Sequence, residues 1–312
     1  MTRAISYREA IIEALTQEMA REPSVIVLGD GGGAGAAPDL AARFPGRVLG
    51  TSGAGTAFVG AAIGAATRGQ RPVAELGCSG GQGFDRIFGQ AATFGALAGG
   101  AANTPVVLRV VYRAGACPYP AFTQVPGLKV VVPATPYDAK GLMAQAIRDD
   151  GPVIFCEHRA LYDIVGEVPC DSYALAFGTA NVVRRGADVT LVALGRMVPV
   201  AERAARELAV SGIDAEVIDP RTTSPLDAAT ILASVGRTGR LVVVDESAPR
   251  CGLAADISAL VAREAFGALR APIETVTPPH TPLPFPEARE SRYLPGTQRV
   301  ADAAKCVVGW RR

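Results

Sequence analysis

The residues best suited to chemistry lie in a glycine-rich turn between a short strand and a helix of small residues. The turn reads Thr51-Ser52-Gly53-Ala54-Gly55-Thr56, and the helix is predicted over 57–67. A chain that leaves a strand to open a helix there must bend tightly, and glycine permits a close approach to a neighbour. The unpaired amide groups at the head of such a helix can bind a small molecule. A tightly packed strand–helix unit without a ligand explains the same glycines, so both interpretations stay open.

A second polar segment, Cys78-Ser79-Gly80-Gly81-Gln82-Gly83, follows the apolar run Val73–Leu76. Hydroxyl and amide groups can orient a ring or a substrate, but they are not strong bases near neutral pH. Only the thiol of Cys78 has an ordinary pKa near that range, and a position ahead of a helix lowers a thiol pKa. A small buried space-filler is the alternative role for Cys78.

Composition excludes several classes of function. The 312 residues are 49% hydrophobic and 20% charged, with a net charge of +1. That balance suits parallel sheets buried on both faces and gives no electrostatic reason to bind nucleic acid or an anionic membrane. The two histidines, His158 and His280, are predicted to be structural or solvent-facing.

Cysteine usage and the N-terminal segment predict a soluble protein of the cytoplasm. The six cysteines are scattered without a C-x-x-C pair, which favours reduced thiols over disulfides or a zinc site. Glutamates interrupt the N-terminal pattern, so it resembles neither a signal peptide nor a transit sequence. The apolar helix 57–67 is too short to span a bilayer, which takes about 20 residues.

Strands and helices alternate along the first half of the chain. Apolar runs predict strands at Val25–Leu28, Val73–Leu76, Pro105–Val111, Leu128–Val132 and Pro152–Glu157. Helices are predicted between them, including Phe84–Leu97 and one that begins at Thr135-Pro136, where threonine caps the helix and proline occupies its first turn. Small or apolar residues cover nearly every face of helix 57–67, which predicts that it is buried. The alternation predicts a parallel sheet with right-handed crossovers.

The stretch 165–187 differs in character and predicts the end of a first domain. Gly178–Arg184 and Arg185-Gly186 predict a hairpin into the strand Val189–Ala193. Strands then alternate with helices again up to a last helix near Thr297–Val308. We predict an α/β fold with two α/β domains of mainly parallel sheets, at 1–175 and 176–312.

Several segments together resemble a known family. They are Thr135–Leu142, Ile147-Arg148-Asp149, Ile218–Thr222, Pro225-Leu226-Asp227, Thr238-Gly239-Arg240 and Val243–Glu246. In order and spacing they are similar to the β subunit of thiamine-diphosphate-dependent 2-oxoacid dehydrogenases of the pyruvate, branched-chain and acetoin type. The resemblance implies a transketolase-like pyrimidine-binding domain followed by a transketolase C-terminal domain. It also implies an α₂β₂ heterotetramer in which an α-type subunit holds the diphosphate and magnesium, while β subunits associate with each other.

The chain departs from this family where the chemistry is expected. Family members carry a glutamate that hydrogen-bonds the aminopyrimidine ring, and alignment on Thr51 and Val59-Gly60 puts Gly55 in its place. Where the family has an aromatic segment that stacks on the ring, this chain has Cys78-Ser79-Gly80-Gly81. The family loop that carries a substrate-facing histidine is reduced in this chain to 113–125, which contains none.

The resemblance implies the following site residues. Cofactor contacts fall on Ser52, Gly53, Gly55, Thr56, Cys78, Ser79 and Phe84, and weak catalytic candidates are Thr56, Cys78 and Gln82. No residue of this chain is assigned to a metal. We expect one subunit of a specialised thiamine-diphosphate-dependent oxidoreductase or transferase, acting on a 2-oxoacid or ketose-like substrate by decarboxylation, acyl transfer or carboligation. A non-catalytic β-like assembly subunit and a subunit that binds a different small molecule remain as alternatives.

Overall fold

The computed structural model describes residues 1–29, 38–50, 57–76, 84–100, 103–283 and 293–310. The chain forms two compact units, Met1–Arg113 with Ala121–Phe177 and Ala114–Pro120 with Gly178–Arg312. The domain boundary at 175/176 stays a prediction.

Both units contain strands that alternate with helices. The strands are β1 Thr2–Ser6, β2 Val25–Gly29, β3 Val48–Gly50, β4 Arg71–Leu76, β5 Val107–Tyr112, β6 Lys129–Val131, β7 Val153–His158, β8 Val165–Pro169, β9 Asn181–Arg184, β10 Val189–Ala193, β11 Ala215–Asp219, β12 Thr222–Ser224, β13 Leu241–Val244 and β14 Glu274–Val276. The helices are α1 Tyr7–Arg21, α2 Pro38–Arg43, α3 Ala57–Ala66, α4 Phe84–Arg86, α5 Phe94–Leu97, α6 Tyr119–Thr123, α7 Pro136–Arg148, α8 Met197–Val210, α9 Ala228–Thr238, α10 Leu253–Glu264 and α11 Thr297–Gly309. A π-helical turn spans Ile87–Ala91, and 3₁₀ turns span Arg159–Leu161 and Phe266–Ala268.

The first unit is built around a parallel sheet with the strand order β6-β7-β5-β4-β2-β3. The strands are apolar along most of their length because helices cover such a sheet on both faces. A separate two-stranded antiparallel ribbon pairs β1 with β8. Because the strands β2 to β7 run parallel to one another, their carboxyl ends lie at one edge of the sheet.

Two capped helices, α1 and α7, pack together in the first unit. Ser6 and Glu9 form a capping box at the start of α1, and the Thr135 side chain accepts a hydrogen bond from the amide of Asp138 at the start of α7. Between the two helices, buried Glu18 of α1 pairs with Arg148 of α7 at 2.6 Å. The predicted threonine cap and the proline in the first turn of α7 are both confirmed.

The second unit holds a five-stranded sheet with the order β14-β13-β10-β11-β9. Four of its strands are parallel, and β9 runs antiparallel to β11. The predicted hairpin from Gly178–Arg184 into Val189–Ala193 is therefore wrong, because β9 forms its hydrogen bonds with β11 instead of β10. Adjacency in sequence suggests the pairing, but both edges of β10 are taken by parallel neighbours.

Two other predictions need correction. The helix predicted over Phe84–Leu97 is interrupted by the π-helical turn Ile87–Ala91, and it resumes only at Phe94. The strands β1, β8 and β12 are absent from the predicted set, because each is a short segment that lacks a continuous apolar run.

Helix α3 is buried on one side only, although its composition predicts burial all round. Val59, Ala62 and Ile63 are buried, whereas Ala61 and Gly64 are exposed. Among the described residues, no helix is long and apolar enough to cross a membrane.

Candidate functional site

Most of the predicted site residues lie outside the described part of the chain. These are Ser52, Gly53, Gly55, Thr56, Cys78, Ser79 and Gln82, and their roles stay predictions. The described residues that flank them are Gly50 and Ala57 on either side of the first turn, and Leu76 and Phe84 on either side of the second.

The strands that precede these two segments, β3 and β4, both pair with β2. Gly50, the last residue of β3, pairs with Gly29, the last residue of β2. On its other side β2 pairs in parallel with β4, which ends at Leu76. In open α/β sheets ligands bind outside the carboxyl ends of the strands, so this edge is the candidate site.

A cluster of charged side chains is buried just inside that edge. Arg109 of β5 donates hydrogen bonds to Glu157 of β7 through Nε to Oε1 at 2.6 Å and through Nη2 to Oε2 at 3.0 Å. Its Nη1 donates to Oε1 of Glu75, the residue directly opposite it on β4. Only 2% of the Arg109 side chain and none of the Glu157 side chain is exposed, against 11% for Glu75.

Two tyrosines complete the cluster. The hydroxyl of Tyr162 donates to Oε2 of Glu157 at 2.9 Å, and the ring of Tyr162 stacks on Tyr7 with centroids 6.1 Å apart. Burial raises the pKa of both phenols, and the negative charge of Glu157 adds to the effect. Both tyrosines therefore stay neutral and act as donors.

The cluster contains two carboxyl groups but one guanidinium. Burial raises the pKa of Glu75, Arg109 opposes that shift, and the charge of Glu157 reinforces it. The charge of Arg109 itself is secure, because the two glutamates raise its pKa against the opposing effect of burial. Of the two glutamates, Glu75 is thus the one suited to hold a proton.

Glu75 also lies against the end of the neighbouring strand. A Cβ placed on Gly29 would lie 3.0 Å from Oε2 of Glu75, which is tighter than ordinary packing. Gly29 therefore leaves the space that the Glu75 carboxyl occupies. This oxygen accepts no hydrogen bond from the described residues.

Phe84, the one predicted cofactor contact that is described, belongs to an aromatic cluster. Its ring stacks on buried Phe122 with centroids 4.8 Å apart and planes 9° apart, and Phe88 meets both rings edge-on. One face of Phe84 is therefore covered within the chain. Its contact with a cofactor stays a prediction.

The two histidines differ in burial. His158 is 2% exposed, meets the ring of Tyr112 edge-on at 4.9 Å, and accepts a hydrogen bond from the amide of Ala160 at Nδ1. His280 is exposed. These contacts hold the His158 ring at the end of β7, and its structural role stays a prediction.

Sequence reasoning missed the cluster of Glu75, Arg109 and Glu157, although a signal was present. Each residue is a charge within or near the end of an apolar strand of a parallel sheet that is buried on both faces. Charges in such positions must be paired. The partners could not be named without the strand order.

No group of three or more His, Cys, Asp or Glu side chains that could hold a metal ion occurs within the described ranges. The described cysteines form no disulfide among themselves.

Comparison with known proteins identifies the family of both units. The family described as "Transketolase, pyrimidine binding domain" matches residues 3–164, and the one described as "Transketolase, C-terminal domain" matches residues 178–300. A solved structure entitled "Split gene transketolase, inactive beta4 tetramer" superposes with a TM-score of 0.83 over 99% of both chains. At 24% sequence identity, that likeness concerns the fold alone.

Full-length relatives narrow the family further. The chain is 52% identical to the acetoin:2,6-dichlorophenolindophenol oxidoreductase subunit beta of Cupriavidus necator, over 98% of each chain. It is 41% identical to the protein of the same name from Bacillus subtilis, over 99% of this chain and 98% of the relative. It is 39% identical to the pyruvate dehydrogenase E1 component subunit beta of Bacillus subtilis, over 96% and 97%. The chain belongs to the family of β subunits of two-component, thiamine-diphosphate-dependent dehydrogenases of the acetoin and pyruvate type.

Proposed function

We propose that this chain is the β-type subunit of a two-component enzyme that breaks the carbon–carbon bond beside a carbonyl group of a small hydroxyketone. The observation that carries the proposal is the full-length identity of 52% to an acetoin oxidoreductase subunit, against 39% for a pyruvate dehydrogenase subunit. An acetoin-like substrate agrees with the ketose-like class expected from the sequence. A 2-oxoacid is the competing substrate class.

Thiamine diphosphate is the cofactor that the family requires, and when bound it supplies a nucleophilic carbon that accepts the acyl group. We propose that the aminopyrimidine ring lies at the carboxyl edge of the first sheet, with Ser52, Thr56, Ser79 and Phe84 among its contacts. The diphosphate and magnesium belong in this proposal to an α-type partner. Glu75 fits a ring-binding role, because its Oε2 accepts no hydrogen bond from the described residues and lies close to the strand ends.

The residues of the cluster have distinct tasks in this proposal. Arg109 holds Glu75 and Glu157 in fixed positions, since its guanidinium donates to both. Tyr162 satisfies a remaining lone pair of Glu157, so that Glu157 stays a rigid anchor. Glu75 is left to exchange a proton at the edge of the sheet.

The substitution of the family glutamate by Gly55 argues for a specialised enzyme. General acid–base assistance contributes about 10²–10⁴-fold in rate, so the loss of the carboxyl group at this position should lower the rate of ordinary 2-oxoacid chemistry by a large factor. The same substitution keeps the non-catalytic assembly subunit as a second candidate. A pocket rebuilt for a different small molecule is the third.

An α-type partner and self-association are both part of the proposal. The exposed side of α3 presents Ala57, Ala61 and Gly64, and a partner that covers it would complete the burial that the sequence predicts. The α₂β₂ stoichiometry and a place in the cytoplasm complete our proposal for the assembly.

The test is a dye-reduction assay with the chain and its α-type partner, purified together with thiamine diphosphate and magnesium. We expect reduction of dichlorophenolindophenol with acetoin and much slower reduction with pyruvate. Faster reduction with pyruvate than with acetoin would show that the substrate is a 2-oxoacid and not a hydroxyketone. Absence of any turnover, with the complex intact, would favour the assembly subunit.

A further inference from the structure

The buried cluster at the carboxyl edge has one more acid than base. If Glu75, Arg109 and Glu157 were all ionised, the group would carry a net charge of −1 inside the first unit. An uncompensated buried charge is costly, and a proton on one carboxyl group removes it. The positive charge of Arg8 on α1 acts on Glu75 in the opposite sense, but Arg8 forms no ion pair with the described residues.

The proton belongs on Glu75 for geometric reasons. Both oxygens of Glu157 already accept hydrogen bonds, two from Arg109 and one from Tyr162. Among the described residues Glu75 uses only Oε1, and its side chain is the more exposed of the two carboxyls. A proton on Oε2 of Glu75 thus leaves every existing hydrogen bond of the cluster intact.

The position of Oε2 connects the cluster to the strand ends. Glu75 is the penultimate residue of β4, and Oε2 lies beside Gly29, where β2 ends. Gly29 pairs with Gly50, which is five residues before Gly55 in the chain. The carboxyl group therefore lies at the edge of the sheet where β2 and β3 end.

We propose that Glu75 is the proton-holding residue of this chain: Oε2 carries a proton when the edge is empty and hands it to a basic ring nitrogen of a bound heterocycle. The inference rests on the proposed function, in which that heterocycle is the aminopyrimidine of thiamine diphosphate. In this step the O–H bond of Glu75 breaks and an N–H bond forms on the ring. The resulting carboxylate stays paired with Arg109, and the total charge of the chain and the heterocycle is unchanged.

The proposal predicts an infrared signal that does not depend on catalysis. A protonated carboxyl group gives a carbonyl stretch that is distinct from those of carboxylates and shifts in heavy water. We expect this band in the ligand-free chain at neutral pH, and its loss when thiamine diphosphate and magnesium are added with the α-type partner. Glu75→Gln should lack the band from the start.

Glu18→Gln is the matched control. Glu18 lies in the same unit, and its side chain is 0% exposed against 11% for Glu75. It is paired with two arginines, Arg21 and Arg148, so it has no need of a proton. We expect Glu18→Gln to lose stability but to keep the protonated-carboxyl band and its response to the cofactor. Equal loss of the band in both variants would overturn the assignment to Glu75.

Calorimetry separates this proposal from the proposed function. Cofactor affinity of the assembled wild-type protein should weaken as pH rises through the raised pKa of Glu75, whereas Glu75→Gln should bind about tenfold more weakly with a flatter pH profile. No binding to either protein would contradict the proposed function, whereas the infrared band of the ligand-free chain would still test whether Glu75 holds a proton. Binding that is equally strong and equally pH-dependent in both would overturn the role of Glu75.

Discussion

Arg109 and Glu157 form a bidentate ion pair inside the parallel sheet, with donor–acceptor distances of 2.6 and 3.0 Å. Both side chains are almost completely buried, and Glu75 shares the same guanidinium. Replacing Arg109 by methionine would leave two carboxyl groups without their cation. We expect Arg109→Met to lower the free energy of unfolding by about 3–5 kcal/mol, measured by urea denaturation.

Arg206→Met is the control for that measurement. Arg206 pairs with Glu202 on the surface of α8, and 68% of its side chain is exposed. Such pairs contribute about 0.2–1 kcal/mol, so its unfolding curve should almost coincide with that of the wild type. A loss in Arg109→Met no larger than in Arg206→Met would show that the cluster does not stabilise the fold.

As pH rises, the contributions of Glu75 and Glu18 to the stability of the fold should change in opposite directions. The folded state raises the pKa of Glu75, so its protonation stabilises the chain at low pH, and that contribution is lost as pH rises through the raised value. Hydrogen bonds from Arg148 and Arg21 outweigh burial at Glu18 and lower its pKa, so its contribution is lost as pH falls.

Unfolding midpoints of wild type, Glu75→Gln and Glu18→Gln across acidic to neutral pH test these signs. The unfolding midpoint of Glu75→Gln should rise relative to that of the wild type as pH rises above the ordinary pKa of a glutamate. The unfolding midpoint of Glu18→Gln should lie furthest below that of the wild type at neutral pH, and the difference should shrink in acid. Parallel pH profiles for the two variants would contradict the assignment.

The exposed side of α3 makes a prediction about assembly. Among the described residues, no atom lies within 4 Å of a Cβ placed on Gly64. Gly64 belongs to α3 and is exposed. Gly64→Ala should stabilise the isolated chain by about 0.5–1 kcal/mol, because glycine is unfavourable inside a helix. Gly64→Leu should weaken association with the α-type partner or a second copy, measured by light scattering.

Gly236→Leu provides the comparison for the association experiment. Gly236 is an exposed glycine of α9, and a Cβ placed on it also meets no atom of the described residues within 4 Å. We expect this variant to assemble like the wild type. If both leucine variants assemble normally, α3 is not part of an interface.

Restoring the family carboxyl group should not restore ordinary 2-oxoacid chemistry. Gly55→Glu adds only the carboxylate, whereas the aromatic segment and the histidine loop also differ from the family. If the space at Gly55 is filled, overpacking costs about 1–3 kcal/mol. We expect no gain in pyruvate decarboxylation by the assembled variant, and a clear gain would show that the pocket lacks one residue only.

The fold was largely predictable because most elements carry their own local signal. Apolar runs mark the strands β2, β5 and β7, and the Thr135-Pro136 pair marks the start of α7. The errors concern relations that no local pattern encodes. The antiparallel partner of β9 depends on which strand of the sheet still has an unpaired edge. The π-helical turn Ile87–Ala91 contains no proline that would mark an interruption of the helix.

The candidate site was predictable only as a region. Glycine-rich turns after β3 and β4 point to the carboxyl edge of the sheet, and strand order confirms that these strands lie on either side of β2. The pairing of Glu75 with Arg109 depends on the register between β4 and β5, which sequence alone does not reveal. A lone glutamate in a short strand also gives no local sign that its carboxyl group shares a guanidinium with a second acid.

Calorimetric titration of thiamine diphosphate with magnesium, into the chain alone and into its complex with the α-type partner, tests the central claim most directly. We expect saturable binding to the complex and far weaker binding to the chain alone, because the proposed site takes the diphosphate and magnesium from the partner. Absence of binding to an intact complex would contradict the assignment of this chain to a working thiamine-diphosphate enzyme.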